Sequence, residues 1–410
     1  MTGHISWKLY HVDGKFYRYL PLYFSYVVYE TQPNMPHNYD VNWALIKEWI
    51  IEVAAEYISE TCQDEFVTLV SRLAHDHFED RYLYLQTGEY QCYVVACMYV
   101  VGCLACHHPF DLETMCALCD GCYTHDMINQ TIYRLVCWMS PTSDRSFCRS
   151  KILDRRTVAS SEGTVCDLVV HVSFNCPLIR KRIKHWTGLP AIDAMVEAVV
   201  HYLLPKTPNV ARLVHIHAND QHTDLYYEYV PTPLSDFFGT EDMHSMRTIL
   251  VGLLHGVRDL HLIGIAHRDL KGQNIHVTDN ERCKLLDVGS AGYGLIRHTV
   301  PVCTITHRSP DILQAEVDHR PYHYDGKCLD IWSVGVLILE LYLGPHPFGR
   351  TRHAESAGSM LDRIDRLKAS VLTNVQPMCT PNQLMILSRC LDSIPENRPN
   401  IDEVLEVFES

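Results

Sequence analysis

The chain has 410 residues, with 35 Lys and Arg against 49 Asp and Glu and a formal net charge of −14 at pH 7. This length implies two or three domains, each able to bury its own core, and 47% apolar with 20% charged residues is an ordinary globular composition, not a disordered one. The acidic balance argues against a broad nucleic-acid footprint, which needs a basic surface. Residues Met1 to Lys8 lack the basic-then-apolar pattern of a secretory leader. The longest apolar run, Cys92 to Cys106, is too short to span a bilayer comfortably. A nuclear or cytoplasmic, intracellular setting is therefore expected, with neither membrane nor nucleic acid as partner, and the 17 Cys are expected to be mostly reduced thiols. The 25 His have no evident explanation at this level.

From about residue 20 to 138 the pattern is helical. Trp43, Ile46, Trp49, Ile50 and Val53 recur at three- and four-residue steps, as do Phe66, Leu69, Val70 and Leu73. Tyr93 to Leu104 is apolar nearly all round and reads as a buried helix. Ser140 to Ser146, with Pro141, is a polar boundary. Between about 151 and 230 the texture turns to short β-rich runs, Leu168–Val172 and Leu225–Val230, interrupted by one helix near Ala191–Leu204. After 240 the chain is again mostly helical. The expected fold is α+β: an all-α domain over 1–139, a linker over 140–150, and a mixed unit over 151–410.

Cys103, Cys106, His107, His108, Cys116, Cys119 and Cys122 include C-x-x-C spacings that suit zinc. Several of them also fall at apolar helical positions, where a free cysteine behaves as a small hydrophobe. Both readings stay open.

The strongest signal is His267-Arg268-Asp269-Leu270-Lys271-Gly272-Gln273-Asn274, followed by Asp287-Val288-Gly289. An Asp on a short loop can accept a hydroxyl proton, an Asn shortly after it can turn back toward a metal, and a second Asp after the strand-like Lys284–Leu286 supplies another metal ligand. A polar surface turn would show similar residue types, but not this spacing. The run resembles the catalytic loop and metal-binding triplet of protein kinases, with Val288 in place of the usual Phe. Lys271 looks like the lysine that serine/threonine kinases place on the transferred phosphate, and Thr304 like the threonine they keep against the catalytic Asp and Lys. Thr304 to Asp311 resembles the end of an activation segment, with Asp311 where Glu is usual and Arg398 as its ion-pair partner. Asp330-Ile331-Trp332-Ser333-Val334-Gly335 resembles the core helix that holds the catalytic loop from below.

The resemblance implies a two-lobed kinase, with a small lobe at about 151–230 and a large lobe at about 231–410. Leu178-Ile179-Arg180-Lys181 resembles the strand bearing the ATP-positioning lysine, with Lys184 as a competing register. Glu197, on the next helix, would form the ion pair with Lys181. Ser160 to Cys166 stands where the phosphate-covering loop belongs, with Gly163 alone where the family has three glycines. Tyr227-Glu228-Tyr229-Val230 looks like the hinge that receives adenine, with Tyr227 as gatekeeper. Asn274 and Asp287 would hold Mg2+, so ATP and Mg2+ are the implied cofactors.

Leu189 to Glu197 is reminiscent of the cyclin-binding helix of cyclin-dependent kinases. Trp43 to Val53 looks like the first helix of a cyclin box, Val94 to Cys106 like its buried central helix, and Cys119 to Thr124 like the loop before its last helix. Asp80-Arg81-Tyr82-Leu83 also fits, with Asp76 competing for the same role. Together these resemble a single five-helix cyclin box, over about 20–138, fused to its own kinase, an economy that suits a virus. A linker of about 10 residues spans on the order of 35 Å and would keep the partner at roughly millimolar effective concentration. No separate cyclin would then be required. The departures matter too. Ile58 and Cys106-His107 stand where cyclins carry the Lys and Glu that grip the kinase. Thr299 falls at the activating phosphorylation position, but only Arg268 remains of the three arginines that would receive the phosphate, with Val196 and Gly292 at the other two. Phosphorylation of Thr299 is expected to matter little. Val165 replaces the inhibitory tyrosine, while Thr164 remains. Arg308 resembles the arginine that favours proline after the target hydroxyl.

The expected function is a serine/threonine protein kinase activated by its own cyclin-like domain and acting on cell-cycle or transcription proteins. The alternatives are a pseudokinase–cyclin scaffold without catalysis, and a kinase of another group behind an unrelated helical domain.

Overall fold

Apolar residues at helical spacing must bury a common stripe, and in the N-terminal third they do so on one another. The computed structural model describes residues 9–12, 15–18, 43–58, 60, 63–81, 89–106, 125–141, 152–172, 174, 176–186, 190–204, 206–293, 295–298, 302–320, 322–350 and 355–410. Helices α1 (Trp43–Tyr57), α2 (Gln63–Arg81), α3 (Glu89–Cys106) and α4 (His125–Trp138) pack as a bundle. The central α3 is buried at every position from Tyr93 to Ala105, as its apolar circumference demands. Residues 107–124, where a further helix of the expected five would fall, lie outside the described residues. The all-α expectation for 1–139 needs one correction. Leu9–Val12 (β1) pairs antiparallel with Lys15–Arg18 (β2), Val12 opposite Lys15. The signal for this hairpin is Asp13-Gly14 between alternating residues, the composition that two-residue turns require.

Strands β3 (Ile152–Ser161), β4 (Thr164–His171), β5 (Leu178–Lys184), β6 (Leu213–Ala218) and β7 (His222–Glu228) form an antiparallel sheet in the order β3-β4-β5-β7-β6. Side chains alternate along β5. Arg180 and Arg182 project to one face, where they pair with Asp167 and Asp224. Lys181 projects to the other, toward helix α5 (Ile192–Leu203).

The C-terminal part is mainly helical. After β8 (Thr232–Pro233) comes α6 (Met243–Leu262), capped by the Asp242 carboxylate on the His244 and Ser245 amides. Short strands follow: β9 (Ile265–Ala266), β10 (Ile275–Val277), β11 (Cys283–Leu285), β12 (Gly292–Tyr293), β13 (Leu295–His298) and, beyond α7 (Pro310–Val317), β14 (Tyr322–Asp325), which pairs with β13. Helix α8 (Gly326–Leu343) runs through the core, flanked by α9 (Ala357–Val375) and α10 (Pro381–Cys390), and α11 (Ile401–Glu409) packs on α6 and α10.

The two parts share one apolar core, continuous from Ile50 to Phe408. Helix α3 packs on α5 and reaches β12 and β13, and α4 packs on β6. Cys103 Sγ lies 4.0 Å from Met195 Sδ, and the Tyr202 hydroxyl donates to Asp76. Tyr133 stacks on His185 with ring centres 5.8 Å apart. Ser140, the first residue of the expected linker, accepts the Ile216 amide at 3.1 Å. Asp76 thus has a defined partner, whereas the side chain of its competitor Asp80 is outside the described residues.

Among the described residues no helix is long and apolar enough to cross a membrane, and no three His, Cys, Asp or Glu side chains are grouped to hold a metal. Cys103 and Cys97 are buried in α3, and burial pushes the Cys97 thiol well up. The rest of the candidate zinc cluster, the Cys106 side chain and residues 107–122, lies outside the described residues.

Candidate active site

The loop His267 to Asn274 joins β9 to β10 and is held from below by one carboxylate. Asp330, buried in α8, accepts the amides of His267 at 2.7 Å and Arg268 at 2.8 Å, and also meets His261 Nε2 at 2.9 Å. His267 donates from Nε2 to the Leu286 carbonyl at 3.0 Å and accepts the Asp269 amide on Nδ1 at 3.3 Å. The loop is thereby tied to the residue before Asp287, and the tautomer of His267 follows from its two partners. Arg268 (φ 68°) and Asp287 (φ 58°) both adopt the left-handed conformation. For residues with a Cβ that geometry costs on the order of 1 kcal/mol, and it persists where the surroundings over-determine it.

The Asp269 carboxylate gathers four donors. Lys271 Nζ lies 2.7 Å from Oδ2, the Thr304 hydroxyl donates to Oδ1 at 2.8 Å, and the Thr304 amide donates to Oδ1 at 3.0 Å. Lys271 also donates to Thr304 Oγ1 at 2.9 Å. Asn274 Nδ2 donates to the Asp269 carbonyl at 2.9 Å and to Oδ2 at 3.1 Å.

A second cluster centres on Lys181, whose ammonium bridges Glu197 and, at 2.6 Å, Asp287 Oδ1. Burial alone would depress this lysine, but the two carboxylates outweigh it and hold the ammonium above its usual range. Burial raises Glu197 to about 7 against the pull of Lys181. For Asp287, Lys181 beside it overcomes burial and lowers the carboxyl. The Tyr227 hydroxyl donates to the other oxygen of Glu197.

The remaining candidates line the rim. Gly163 forms the β3–β4 turn at φ 82°, a conformation that favours glycine, and its carbonyl accepts the Lys184 amide at 2.7 Å. Thr164 follows it at the start of β4. In the hinge, Glu228 Oε1 accepts Lys284 Nζ at 2.8 Å and the Arg212 amide at 2.7 Å. The Val230 carbonyl accepts His276 Nδ1–H at 2.8 Å. Arg268 is fully buried, with its guanidinium 5.9 Å from the Tyr324 ring centre. Thr299 lies outside the described residues. Arg398 pairs with Asp311, and Arg308 donates to the Cys303 carbonyl at 2.9 Å and to Glu316 at 2.6 Å.

The structure thus brings Asp269, Lys271, Asn274 and Thr304 into one cluster and Lys181, Glu197, Asp287 and Tyr227 into another. Three links had no sequence signal: Tyr227 to Glu197, His276 to the hinge, and Lys284 to Glu228. Each joins residues far apart in the chain through a side chain.

A β-sheet lobe over a helical lobe, with an Asp-centred loop facing a Lys–Glu pair, defines a protein kinase. A family model of the protein kinase domain matches residues 162–407, and the chain belongs to that family. A probable cell division protein kinase of Encephalitozoon cuniculi is 27% identical over 238 residues, 57% of this chain and 86% of that protein. Cyclin-dependent kinase 14 of Xenopus tropicalis is 32% identical over 150 residues, 35% of this chain and 34% of that protein. Cell division control protein 2 homolog 1 of Trypanosoma brucei brucei is 28% identical over 190 residues, 44% of this chain and 60% of that protein. The chain therefore spans only a third to three-fifths of the latter two relatives.

Proposed function

We propose that this chain is a serine/threonine protein kinase of cyclin-dependent type, acting inside the cell on cell-cycle or transcription proteins. The observation that carries the reading is the Asp269–Lys271–Thr304 cluster, in which a carboxylate, an ammonium and a hydroxyl lie within 2.9 Å of one another. A substrate hydroxyl entering beside Asp269 is oriented by its carboxylate and gives up its proton there, while Lys271 lies within reach of negative charge on the group in transit. Lys181, braced by Glu197, is the cation for the α- and β-phosphates of ATP.

Asn274 and Asp287 fit a hard cation. Asp287 gives one oxygen to Lys181 and Asn274 uses only its N–H on Asp269, which leaves Asp287 Oδ2 and Asn274 Oδ1 as oxygen donors of the kind Mg2+ takes. When bound there, the ion neutralises phosphate charge. Preference for proline after the target hydroxyl is supported by Arg308. Its Nε takes one lone pair of the Cys303 carbonyl, which leaves less capacity there for a substrate N–H, and proline has no N–H to lose.

Activation in cis is the second half of the proposal. Packing of α3 on α5, the helix that carries Glu197, supports a cyclin-like role for the N-terminal helices. The single glycine of the phosphate loop favours the rival, a scaffold without catalysis. Radiolabelled phosphate transfer to Ser-Pro peptides by the purified chain decides between them, with Asp287→Ala expected to lose more than about a hundredfold. Equal incorporation by both proteins excludes catalysis. Full activity in a chain beginning at residue 148 excludes activation by the N-terminal helices.

A further inference from the structure

We infer that Tyr227 is a positioning residue: its hydroxyl, backed by His201, locks the Lys181–Glu197 pair in place by tying helix α5 to strand β7. The inference deepens the kinase reading and rests on it for its kinetic consequences.

Glu197 is completely buried. A carboxylate without water must have both oxygens satisfied, since an unpaired one carries its full desolvation penalty. One oxygen takes Lys181 from β5, and the other takes the Tyr227 hydroxyl from β7. Tyr227 lies opposite Ile179 in the β5–β7 register. Ile179 and Lys181 share a strand face, so Tyr227 and Lys181 are diagonal neighbours projecting the same way toward α5. Two donors from two strands therefore converge on one helical carboxylate. Lysine alone would hold Glu197 by a long, flexible stem, whereas the phenol is a rigid strut fixed in a strand.

His201 completes the arrangement. It lies one turn beyond Glu197 on α5, and its ring packs on Tyr227 with centres 5.5 Å apart at 56°. Tyr227, itself 8% exposed, is thus gripped by α5 through two residues on one helical face. Outward movement of α5 would break the Glu197 bond and the His201 contact together.

Tyr227→Phe removes the hydroxyl and keeps the ring, so the shape of the pocket is preserved. The expected result is a KM for ATP raised about five- to tenfold, the net scale of one hydrogen bond, with the KM for peptide within about twofold of the parent. Amide hydrogen exchange should rise in Ile192–Leu203 and not in β3 or β4. An unchanged KM for ATP, or exchange raised equally across the small lobe, overturns the inference. Should the parent chain show no Asp287-dependent transfer, the kinase reading fails separately. The affinity of a fluorescent ATP analogue and the exchange of α5 then decide the matter for Tyr227, and no change in either overturns it.

Discussion

Lys181 holds two carboxylates at once, and the chemistry of the cleft turns on that sharing. Its ammonium satisfies the buried Glu197 and also reaches Asp287, so removing it leaves a charge stranded without water. Lys181→Met is expected to abolish transfer and to destabilise the fold by about 3 kcal/mol, the scale for an uncompensated buried charge. The double variant Lys181→Met, Glu197→Gln should recover much of that stability with no recovery of activity. Thermal midpoints alongside phosphate transfer check both, and a double variant no more stable than the single one refutes the argument. At this scale the sequence was legible where chemistry demands short spacing. Asp269, Lys271 and Asn274 are close in the chain because one loop must present all three. The strand lysine remained ambiguous between Lys181 and Lys184 until alternation in β5 placed Arg180 and Arg182 on the opposite face. Tyr227 was legible as a hinge neighbour but not as a donor to Glu197, because nothing local records which way its ring points.

Among the elements, α5 packs closely on the turn after Asp287. A Cβ on Gly289 would stand 3.0 Å from Glu197 Oε1 and 3.1 Å from Asp193 Cβ, both on α5. Gly289→Ala is therefore expected to push α5 outward, with about 1–3 kcal/mol lost to overpacking and at least a tenfold loss of transfer. Normal activity in this variant would show that the helix position is not critical. The long helices could be read from periodicity, since a buried stripe repeats wherever a helix packs. The two- and three-residue strands β8 to β12 could not: β8, β9 and β12 pair with segments distant in the sequence, and the local pair β10–β11 is too short to show alternation. The β1–β2 hairpin was signalled by Asp13-Gly14 but stood next to a much stronger helical pattern.

For the molecule as a whole, histidines gather at the sheet, two at the seam with the N-terminal helices and one on α5 against Tyr227, and part of the unexplained excess finds a place there. His185 beneath Tyr133, His215 beside Ser140 and His201 on α5 are each lowered to about 4, chiefly by burial. The unfolded chain takes up protons below its ordinary histidine range near pH 6.5, while the folded chain resists them until about 4. The stability these residues contribute is complete above pH 6.5 and is lost as the pH falls from there toward 4. A thermal midpoint lower by several degrees at pH 5 than at pH 7 is expected. A midpoint flat over that interval removes these histidines from the stability of the fold.

The continuous core from Ile50 to Phe408 also removes concentration from the contact between the two parts of the molecule. Two chains that meet across an interface separate on dilution, and their joint activity falls steeply with concentration. One chain with one core has no such term, so the contact between its N-terminal helices and the sheet is the same at any dilution.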